Sequence, residues 1–251
     1  MEDIWHTFPA QMGDDQAWIT YNHGFAEVAE TDGRGNCLRI RVTIKNPTDY
    51  GMPTNEEFPA LSALDESIDD AITAAGGVYV GRVTVSGCRF FYYYAAGAEE
   101  QITGLVDKAA EPTGYKVQYL WEPDPEKKRY WDELYPTLDD WRVINDLGVL
   151  ESLDENGDDK TKSRKVMHWA YFPTNEGAVS FKSWVFQQEY ELVHSGPKVK
   201  EDDDEDEENV VQYGHSGTMN LGDITHHTIG SDRKARELGG RYDGWETSVE
   251  T

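Results

Sequence analysis

The chain has 251 residues, of which 38% are hydrophobic and 12% aromatic, and its formal net charge is −25 at pH 7. This hydrophobic content suffices for one large or two small folded domains and excludes a wholly disordered chain. The negative charge argues against direct binding of nucleic acid, which requires a basic surface, and it favours either a basic protein partner or adaptation to a saline habitat.

The chain shows no targeting signal and has two cysteines. The first five residues, Met1 to Trp5, lack the basic and apolar regions of a signal peptide, and no apolar run approaches the ~20 residues that span a membrane. We therefore expect a cytoplasmic protein. Cys37 and Cys88 begin two neighbouring antiparallel strands predicted below, so we expect two free thiols, roughly 20 Å apart at about 3.3 Å per residue.

The first half of the chain contains both strand and helix patterns. Apolar and polar residues alternate strictly from Leu38 to Lys45, which is typical of a strand with one buried face. Helical spacing then runs from Pro59 to the glycines at 76 and 77. The predicted order is an extra strand at Trp18–Val28, a strand at Leu38–Lys45, a helix at Pro59–Ala75, strands at Val78–Val85 and Arg89–Ala95, a helix at Ala98–Ala110 and a strand at Tyr115–Trp121.

The second half repeats this order after a proline-rich break. Pro123 and Pro125 interrupt the pattern, and two short helices follow at Glu126–Leu134 and Leu138–Leu150. The elements predicted next are a strand at Val166–Phe172, a helix at Thr174–Gln188, strands at Tyr190–His194 and Asn209–Met219, a helix at Leu221–Leu238 and a strand at Arg241–Val249.

Both halves thus predict the order strand, helix, strand, strand, helix, strand, which is the ferredoxin-like plan. We predict an α+β protein of two tandem ferredoxin-like (βαββαβ) domains, whose antiparallel sheets carry helices on one face. The first domain covers residues 1–121 and includes the extra N-terminal strand. A linker follows at 122–139, and the second domain covers 140–251.

An acidic run lies in the predicted hairpin loop of the second domain, at 196–208. Eight acidic residues in a row repel one another, so the run is either a solvated loop or a lure for an arginine-rich segment of a partner. Such a loop could also mimic RNA phosphates toward a basic nuclease tail. The run consists of Glu201, Asp202, Asp203, Asp204, Glu205, Asp206, Glu207 and Glu208.

The most specific motif closes the chain. Two glycines at 239 and 240 predict a helix stop, and a short strand with a Gly-Trp pair follows. Alternation predicts Tyr242 and Gly244 on one face and Asp243 and Trp245 on the other. Either the tryptophan seals the sheet while the glycine makes room, or Tyr242, Asp243, Trp245 and Glu246 form a patch that contacts a partner.

A basic and aromatic face is predicted on the helix-free side of the first sheet. It would either pack against other parts of the protein or bind RNA or another anion, because aromatic rings on such sheets stack on bases. Its predicted members are Arg39, Arg41, Lys45, Arg82, Arg89, Phe91 and Tyr93.

No catalytic, cofactor or metal motif is recognisable. His168 and His215 lie on neighbouring predicted strands and His226-His227 on a helix, but none has the spacing of a zinc site, and we interpret them as ordinary polar side chains. Asp154–Asp159 lacks the register of a calcium loop. Glycine-rich phosphate loops and Gly-x-Ser-x-Gly elbows are absent from the sequence.

Several of these segments carry a family resemblance. Arg142 to Leu153, the strand from Val166 to Pro173, the acidic insert and Tyr242–Thr247 together resemble the regulator of ribonuclease activity B (RraB), an inhibitor of ribonuclease E, over roughly residues 138–250. The first half is similar to the bacterial domain of unknown function 695, which brings no activity with it. The resemblance implies a non-enzymatic protein that restrains an RNA-decay nuclease by binding its regulatory region.

We therefore expect a regulatory interaction protein whose second domain supplies an acidic docking surface. The first domain would brace the second or bind another partner. The alternative is an RNA- or anion-binding module that uses the Arg39, Arg41 and Phe91 face. A third hypothesis is an enzyme of unknown type in a cleft between the domains, which the lack of a nucleophile–base pair disfavours.

Overall fold

The computed structural model describes residues 2–198 and 208–251. The chain divides into two units, Met1–Thr137 (unit 1) and Leu138–Thr251 (unit 2). Each unit combines α-helices with a single antiparallel β-sheet, of six strands in unit 1 and four in unit 2. The predicted α+β class with antiparallel sheets is therefore confirmed.

The sheet of unit 1 has the strand order β1-β2-β4-β5-β3-β6, and all neighbours are antiparallel. Short 3₁₀ turns at His23–Glu27 and Glu111–Thr113 complete the unit. The elements are β1 (Trp5–Met12), β2 (Asp15–Asn22), β3 (Asn36–Thr43), α1 (Phe58–Ala74), β4 (Val78–Val85), β5 (Cys88–Ala95), α2 (Glu99–Ala110), β6 (Val117–Pro123) and α3 (Lys128–Glu133).

The N-terminal part of unit 1 differs from the prediction. One extra strand was expected at Trp18–Val28, whereas the structure has the hairpin β1–β2, which turns at Gly13 and ends at Asn22. Strand β1 contains Pro9, which has no N–H to donate, and proline is tolerated there because β1 lies at the edge of the sheet. The same proline weakens the strand signal in the sequence.

The core of unit 1 lies between the sheet and helices α1 and α2. Strand β3 contributes Leu38, Ile40 and Val42, and the helices contribute residues at helical spacing. Burial of this apolar surface is the main stabilising term for the unit. The buried side chains from the other elements are Leu61, Leu64, Ile68, Ile72, Phe91, Tyr93, Ile102 and Val106.

The opposite face of the same sheet is not free of helix, which corrects the prediction of helices on one face only. Helix α3 contacts it, because the Tyr92 hydroxyl donates to Glu133 at 2.6 Å and the Tyr130 amide donates to the Tyr94 hydroxyl at 3.2 Å. The Asp124 carboxylate accepts from two backbone amides at the start of α3, at 2.8 and 2.9 Å. Residues 122–137, expected to be a linker, therefore pack within unit 1.

The two cysteines lie at opposite ends of the β3–β5 pair, where Cys37 pairs with Tyr94 and Cys88 with Thr43. Both thiols are free, as predicted, and both are buried. Burial raises the pKa of Cys37 to about 12, so its reactive thiolate is disfavoured.

Unit 2 has a four-stranded sheet with the order β10-β7-β9-β8, again with antiparallel neighbours. Helices α5 and α6 cover one face, and the core includes Phe172, Phe181, Val211 and Tyr213. The elements are α4 (Leu138–Glu155), β7 (Arg164–Phe172), α5 (Asn175–Gln187), β8 (Glu191–Pro197), β9 (Asn209–Gly217), α6 (Leu221–Glu237) and β10 (Arg241–Thr247).

Helix α4 is longer than predicted and packs against α6. Its buried residues Asp146, Leu150 and Leu153 follow a spacing of four and three, and Leu150 and Leu153 join Ile224 of α6 in one apolar cluster. The predicted end of the helix at Leu150 was too early, because Leu153 also belongs to the buried stripe. The helix ends at Glu155, and Gly157 follows with a left-handed backbone conformation.

The stop of α6 at the two glycines is confirmed. Gly239 has φ +73°, which glycine adopts without a steric penalty. Gly240 is needed for a different reason: a Cβ atom there would lie 2.3 Å from the Phe172 ring and 2.6 Å from the Tyr171 carbonyl oxygen. The helix end thus packs directly on strand β7.

We predict that Gly240→Ala lowers the free energy of unfolding by about 1–3 kcal/mol, because the added methyl group overpacks the contact with β7. Gly230→Ala is the matched control, since a Cβ atom inside α6 at that position meets no atom within 4 Å. It should stabilise the protein by ~0.5–1 kcal/mol through its higher helix propensity. Urea denaturation of both variants measures the difference, and equal effects would contradict the packing argument.

Candidate functional site

The terminal motif contains a β-bulge that the sequence prediction missed. Tyr242 pairs with Ala170 and Trp245 with His168, so three steps along β10 match two along β7. Tyr242 and Trp245 therefore lie on the same, helix-covered face, and the prediction that they lie on opposite faces was wrong. A Cβ atom at Gly244 would meet no atom within 4 Å, so this glycine is not needed to make room.

Tyr242 belongs to a hydrogen-bonded cluster beneath α6. Its hydroxyl lies 2.7 Å from His168 Nδ1, and His168 Nε2 lies 3.0 Å from His215 Nδ1. The centres of the His215 and His227 rings lie 3.8 Å apart, with the rings tilted by 34°, and His227 Nδ1 lies 2.7 Å from the Tyr190 hydroxyl. We call these five side chains the histidine–tyrosine cluster.

Burial determines the charge state of this cluster. The His168 side chain is 0% exposed, and burial lowers its pKa well below the usual value, with further lowering by His215 and His227. Burial and His227 lower the pKa of His215 to about 4, and burial lowers the pKa of His227. All three rings are therefore neutral at pH 7, and a neutral ring can both donate and accept a hydrogen bond.

We predict that unit 2 loses stability as the pH falls below about 6.5, because unfolded histidines bind protons that the folded cluster excludes. The loss should continue down to about pH 4, where His215 titrates in the folded state. Urea denaturation across this range measures it. His215→Gln should reduce the slope, whereas the exposed His194→Gln should retain it. Equal slopes for the two variants would contradict the assignment.

Asp146 of α4 holds Trp245 in place by a hydrogen bond. The Trp245 indole donates to Asp146 Oδ1 at 2.8 Å, and the Thr228 hydroxyl donates to Asp146 Oδ2 at 2.6 Å. Burial raises the pKa of Asp146 to about 6, although both hydrogen bonds and Arg142 oppose this rise. Sequence reasoning overlooked Asp146, but a carboxylate four residues before Leu150 on the apolar stripe of α4 was the available signal.

We predict that Trp245→Phe costs about 1–3 kcal/mol of unfolding free energy, because it leaves the buried Asp146 Oδ1 without its donor. Trp184→Phe is the control, because this half-buried indole donates no hydrogen bond to any residue that the structure describes. Thermal or urea denaturation compares the two variants. A Trp184→Phe effect as large as that of Trp245→Phe would show that ring volume alone matters.

The exposed residues of the motif are acidic. Asp243 and Glu246 face solvent, whereas Tyr242 is buried and Trp245 half-buried. Arg241 pairs with Asp243 at 2.8 Å and with Glu208 at 2.9 Å. Glu208 is the last residue of the acidic run; Glu201 to Glu207 lie outside the described residues. The Lys198 amide donates to the Glu208 carbonyl at 2.7 Å, so both ends of the insert meet beside β9.

A half-exposed apolar stripe lies on the helix-free face of this sheet. Met167, Trp169 and Tyr171 alternate with the buried residues of β7, and all three are partly exposed. The Arg241 guanidinium lies 4.3 Å and the Lys198 ammonium 5.7 Å from the centre of the Tyr171 ring. We call this surface, with Asp243, Glu246 and Glu208 around it, the open face. The signal in the sequence was that β7 is apolar on both faces.

The basic and aromatic face predicted in unit 1 is not one face. Arg39 and Arg41 pair with Tyr92 and Phe90, whereas Phe91 pairs with Ile40, inside the core. Arg82, Arg89 and Tyr93 share the side of Phe91, because residues directly paired across strands project to the same side. Lys45 lies beyond β3, with its ammonium 3.9 Å from the Tyr115 ring. The prediction placed Arg89, Phe91 and Tyr93 of β5 on the wrong face of the sheet.

Within residues 2–198 and 208–251, no group of three or more histidine, cysteine or acidic residues is arranged to hold a metal ion. Over the same residues, no helix combines the length and the apolarity needed to cross a membrane.

The chain is a two-unit α+β protein, and the buried tyrosine, histidine and aspartate side chains of unit 2 hydrogen-bond to other side chains of the same unit. Residues 3–135, more than half of the chain, match the model of a family of unknown function, DUF695, and the chain belongs to that family. Residues 144–247 match the model of the regulator of ribonuclease activity B. Both resemblances predicted from the sequence are thus confirmed, and unit 2 is related to a family of regulators of ribonuclease activity.

Other comparisons add little. No curated protein matches the chain. Among solved structures, the chain is similar to an unknown protein from Galdieria sulphuraria, with 8% identity, 86% of this chain and 99% of that chain covered, and a TM-score of 0.24. It is also similar to a hypothetical protein, with 8% identity, 97% and 95% coverage and a TM-score of 0.22. TM-scores this low carry no argument.

Proposed function

We propose that unit 2 is a non-enzymatic docking module that restrains a ribonuclease E-like enzyme by binding a basic segment of its regulatory region. The match to the regulator of ribonuclease activity B supports this proposal. Both units would be ferredoxin-like domains, since β6-β3-β5-β4 and β10-β7-β9-β8 have the same strand order, fourth-first-third-second. The sequence boundaries of 1–121, 122–139 and 140–251 would shift so that 122–137 joins the first domain.

One observation carries the proposal: the protein holds its own arginine on the open face. The Arg241 guanidinium lies 4.3 Å from the centre of the Tyr171 ring while Glu208 and Asp243 accept its hydrogen bonds. This arrangement combines a cation–π contact with two charge-assisted hydrogen bonds. Arginine side chains of a partner would find the same two kinds of contact at neighbouring positions.

The surroundings of Tyr171 extend this arrangement. Trp169 and Met167 offer partly exposed apolar surface along the same strand, and Glu246 is exposed beside them on β10. The acidic run would add the seven carboxylates of Glu201 to Glu207, which precede Glu208 in the sequence. Tyr242 and Trp245, proposed from the sequence as contact residues, would act indirectly, because they position β10 from the inside.

The proposed mechanism is occlusion. A flexible basic segment that is held on the open face is unavailable for binding RNA or a scaffold. The acidic run would raise the association rate at low salt, whereas the aromatic side chains would slow dissociation. Unit 1 would brace unit 2 or bind a second partner, and the complex would form in the cytoplasm.

A nuclease assay tests the proposed function. Cleavage of a single-stranded RNA by a ribonuclease E-like enzyme from the same host is measured with and without the full chain. We expect inhibition of the complete nuclease and no inhibition of its isolated catalytic part, because the binding segment lies in the regulatory region. Equal inhibition of both forms, or inhibition of neither, would refute the proposal.

A binding measurement assigns the surface. We predict that Asp243→Asn with Glu246→Gln weakens binding of the nuclease's regulatory region by about two- to tenfold, because each exposed pair contributes ~0–1 kcal/mol. The matched control is Glu99→Gln with Glu100→Gln, which removes two exposed charges from α2 in unit 1. Calorimetric titration compares the variants, and the same loss in both would mean that net charge alone governs binding.

The acidic run has its own prediction. Replacement of Glu201–Glu208 by the corresponding Asn and Gln residues should abolish most of the salt dependence of binding, since screening acts chiefly on exposed charges. Affinity at about 1 M salt should change little, because the aromatic contacts remain. Titrations over a salt series measure the slope. An unchanged slope would exclude the run from the docking surface.

A further inference from the structure

A second surface feature lies in unit 1, on the part of the sheet that α1 leaves uncovered. Strands β1, β2, β4 and β5 and the residues at the start of α1 line an open cleft of about 280 Å³. Ligand sites are typically ~300–1,000 Å³, so this cleft suits a molecule with one or two rings. Its apolar walls are Trp18, Met52, Pro53 and Phe58, and its polar floor includes Arg82 and Arg89.

Strand pairing explains why these side chains converge. Trp18 pairs with Thr84, and Thr84 with Arg89, so the three residues project to one side of the sheet. Arg82 lies on the same side, two residues before Thr84. Phe58, at the start of α1, places its ring 6.0 Å from the Arg89 guanidinium.

The walls carry unusually exposed aromatic rings. Trp18 is 36% and Phe58 49% exposed, and both contribute to the cleft. Large aromatic side chains exposed in a concave surface that also contains charged groups are typical of ligand sites. An occupant would remove this apolar surface from water.

The floor has more positive than negative charge. Asp65 of α1 is the carboxylate partner of both arginines, at 2.9 Å from Arg89 and 3.2 Å from Arg82. Arg89 is 3% exposed, and its Nε donates to Thr84 while Nη1 donates to Asp65. Among the residues that the structure describes, Nη2 of Arg89 donates to no acceptor. Two guanidinium groups thus share one carboxylate.

The electrostatics of the floor point the same way. Burial lowers the pKa of Arg89, and Asp65 only partly opposes this. Burial also raises the pKa of Asp65 to about 6 despite both arginines, and this single carboxylate faces two positive charges. A guanidinium donor that lines the cleft and has no protein acceptor can bind an anion through charge-assisted hydrogen bonds.

We propose that this cleft binds a small organic anion, with its ring between Trp18 and Phe58 and its carboxylate on Arg82 and Arg89. A carboxylate matches the fork geometry of a guanidinium and can take two hydrogen bonds from it. The apolar walls favour an aromatic body over inorganic phosphate, which would leave Trp18 and Phe58 exposed. The cleft is too small for a folded RNA or a protein segment with secondary structure.

The test uses 2-naphthoate as the probe and the uncharged 2-naphthalenemethanol as its control, titrated calorimetrically into the full chain at constant ionic strength. We expect saturable one-site binding of naphthoate, at least about tenfold tighter than that of the alcohol, because only the anion takes charged hydrogen bonds. Absence of naphthoate binding at millimolar concentration, equal binding of both probes, or binding of inorganic phosphate alone would overturn the proposal.

Variants locate the site. Arg82→Gln should weaken naphthoate binding by about tenfold or more, while Arg41→Gln, an exposed arginine on the other face of the sheet, should leave it within about twofold. Phe58→Ala tests the apolar wall at a half-exposed position where folding is not at risk, and it should weaken binding several-fold. Equal effects of Arg82→Gln and Arg41→Gln, or no effect of Phe58→Ala, would overturn the assignment.

Discussion

The β-bulge in β10 is the constraint on which unit 2 depends. Because three steps of β10 match two of β7, Tyr242 and Trp245 both turn inward, while Asp243 between them and Glu246 after them face solvent. Without the bulge, Trp245 would lie on the open face and Asp146 would lose its indole donor. One irregular position thus determines both the polar interior and the charged exterior of the terminal strand.

Regular periodicity made most of the fold predictable, and departures from it account for the errors. Strict alternation in β3 and helical spacing in α1 located these elements closely. The bulge at Asp243 is not visible in alternation, because a single inserted residue exchanges the two faces beyond it. The prediction of the basic face was wrong for a related reason. Alternation within β5 shows that Arg89 and Phe91 lie on the same side of the sheet, but only the pairing of β5 with β3 shows which side this is.

Buried polar groups in the two units are satisfied in different ways. The histidine–tyrosine cluster of unit 2 is neutral. Its hydrogen bonds join uncharged imidazole rings and tyrosine hydroxyls to one another. In unit 1 the floor beside α1 is charged, because Arg82 and Arg89 share the single carboxylate of Asp65. A neutral network needs no ligand, whereas two cations that share one carboxylate would be stabilised by the additional anion that we propose for the cleft. The sequence could not predict either arrangement, since the partners lie far apart along the chain.

The proposed docking on the open face would depend on two kinds of interaction. One is the long-range attraction by the acidic residues, and the other is the set of short-range contacts with aromatic rings. Arg241, Glu208 and Asp243 together keep one negative charge, so the described surface attracts cations only weakly on its own. In the proposed docking, the seven acidic residues that precede Glu208 in the sequence would strengthen the attraction, and screening at physiological salt would confine it to roughly 8 Å. Such a field gathers any basic chain. Selection among basic chains would therefore rest on the short-range contacts at Tyr171 and Trp169, where a partner's arginine would have to fit a ring and a carboxylate at once, as Arg241 does at Tyr171.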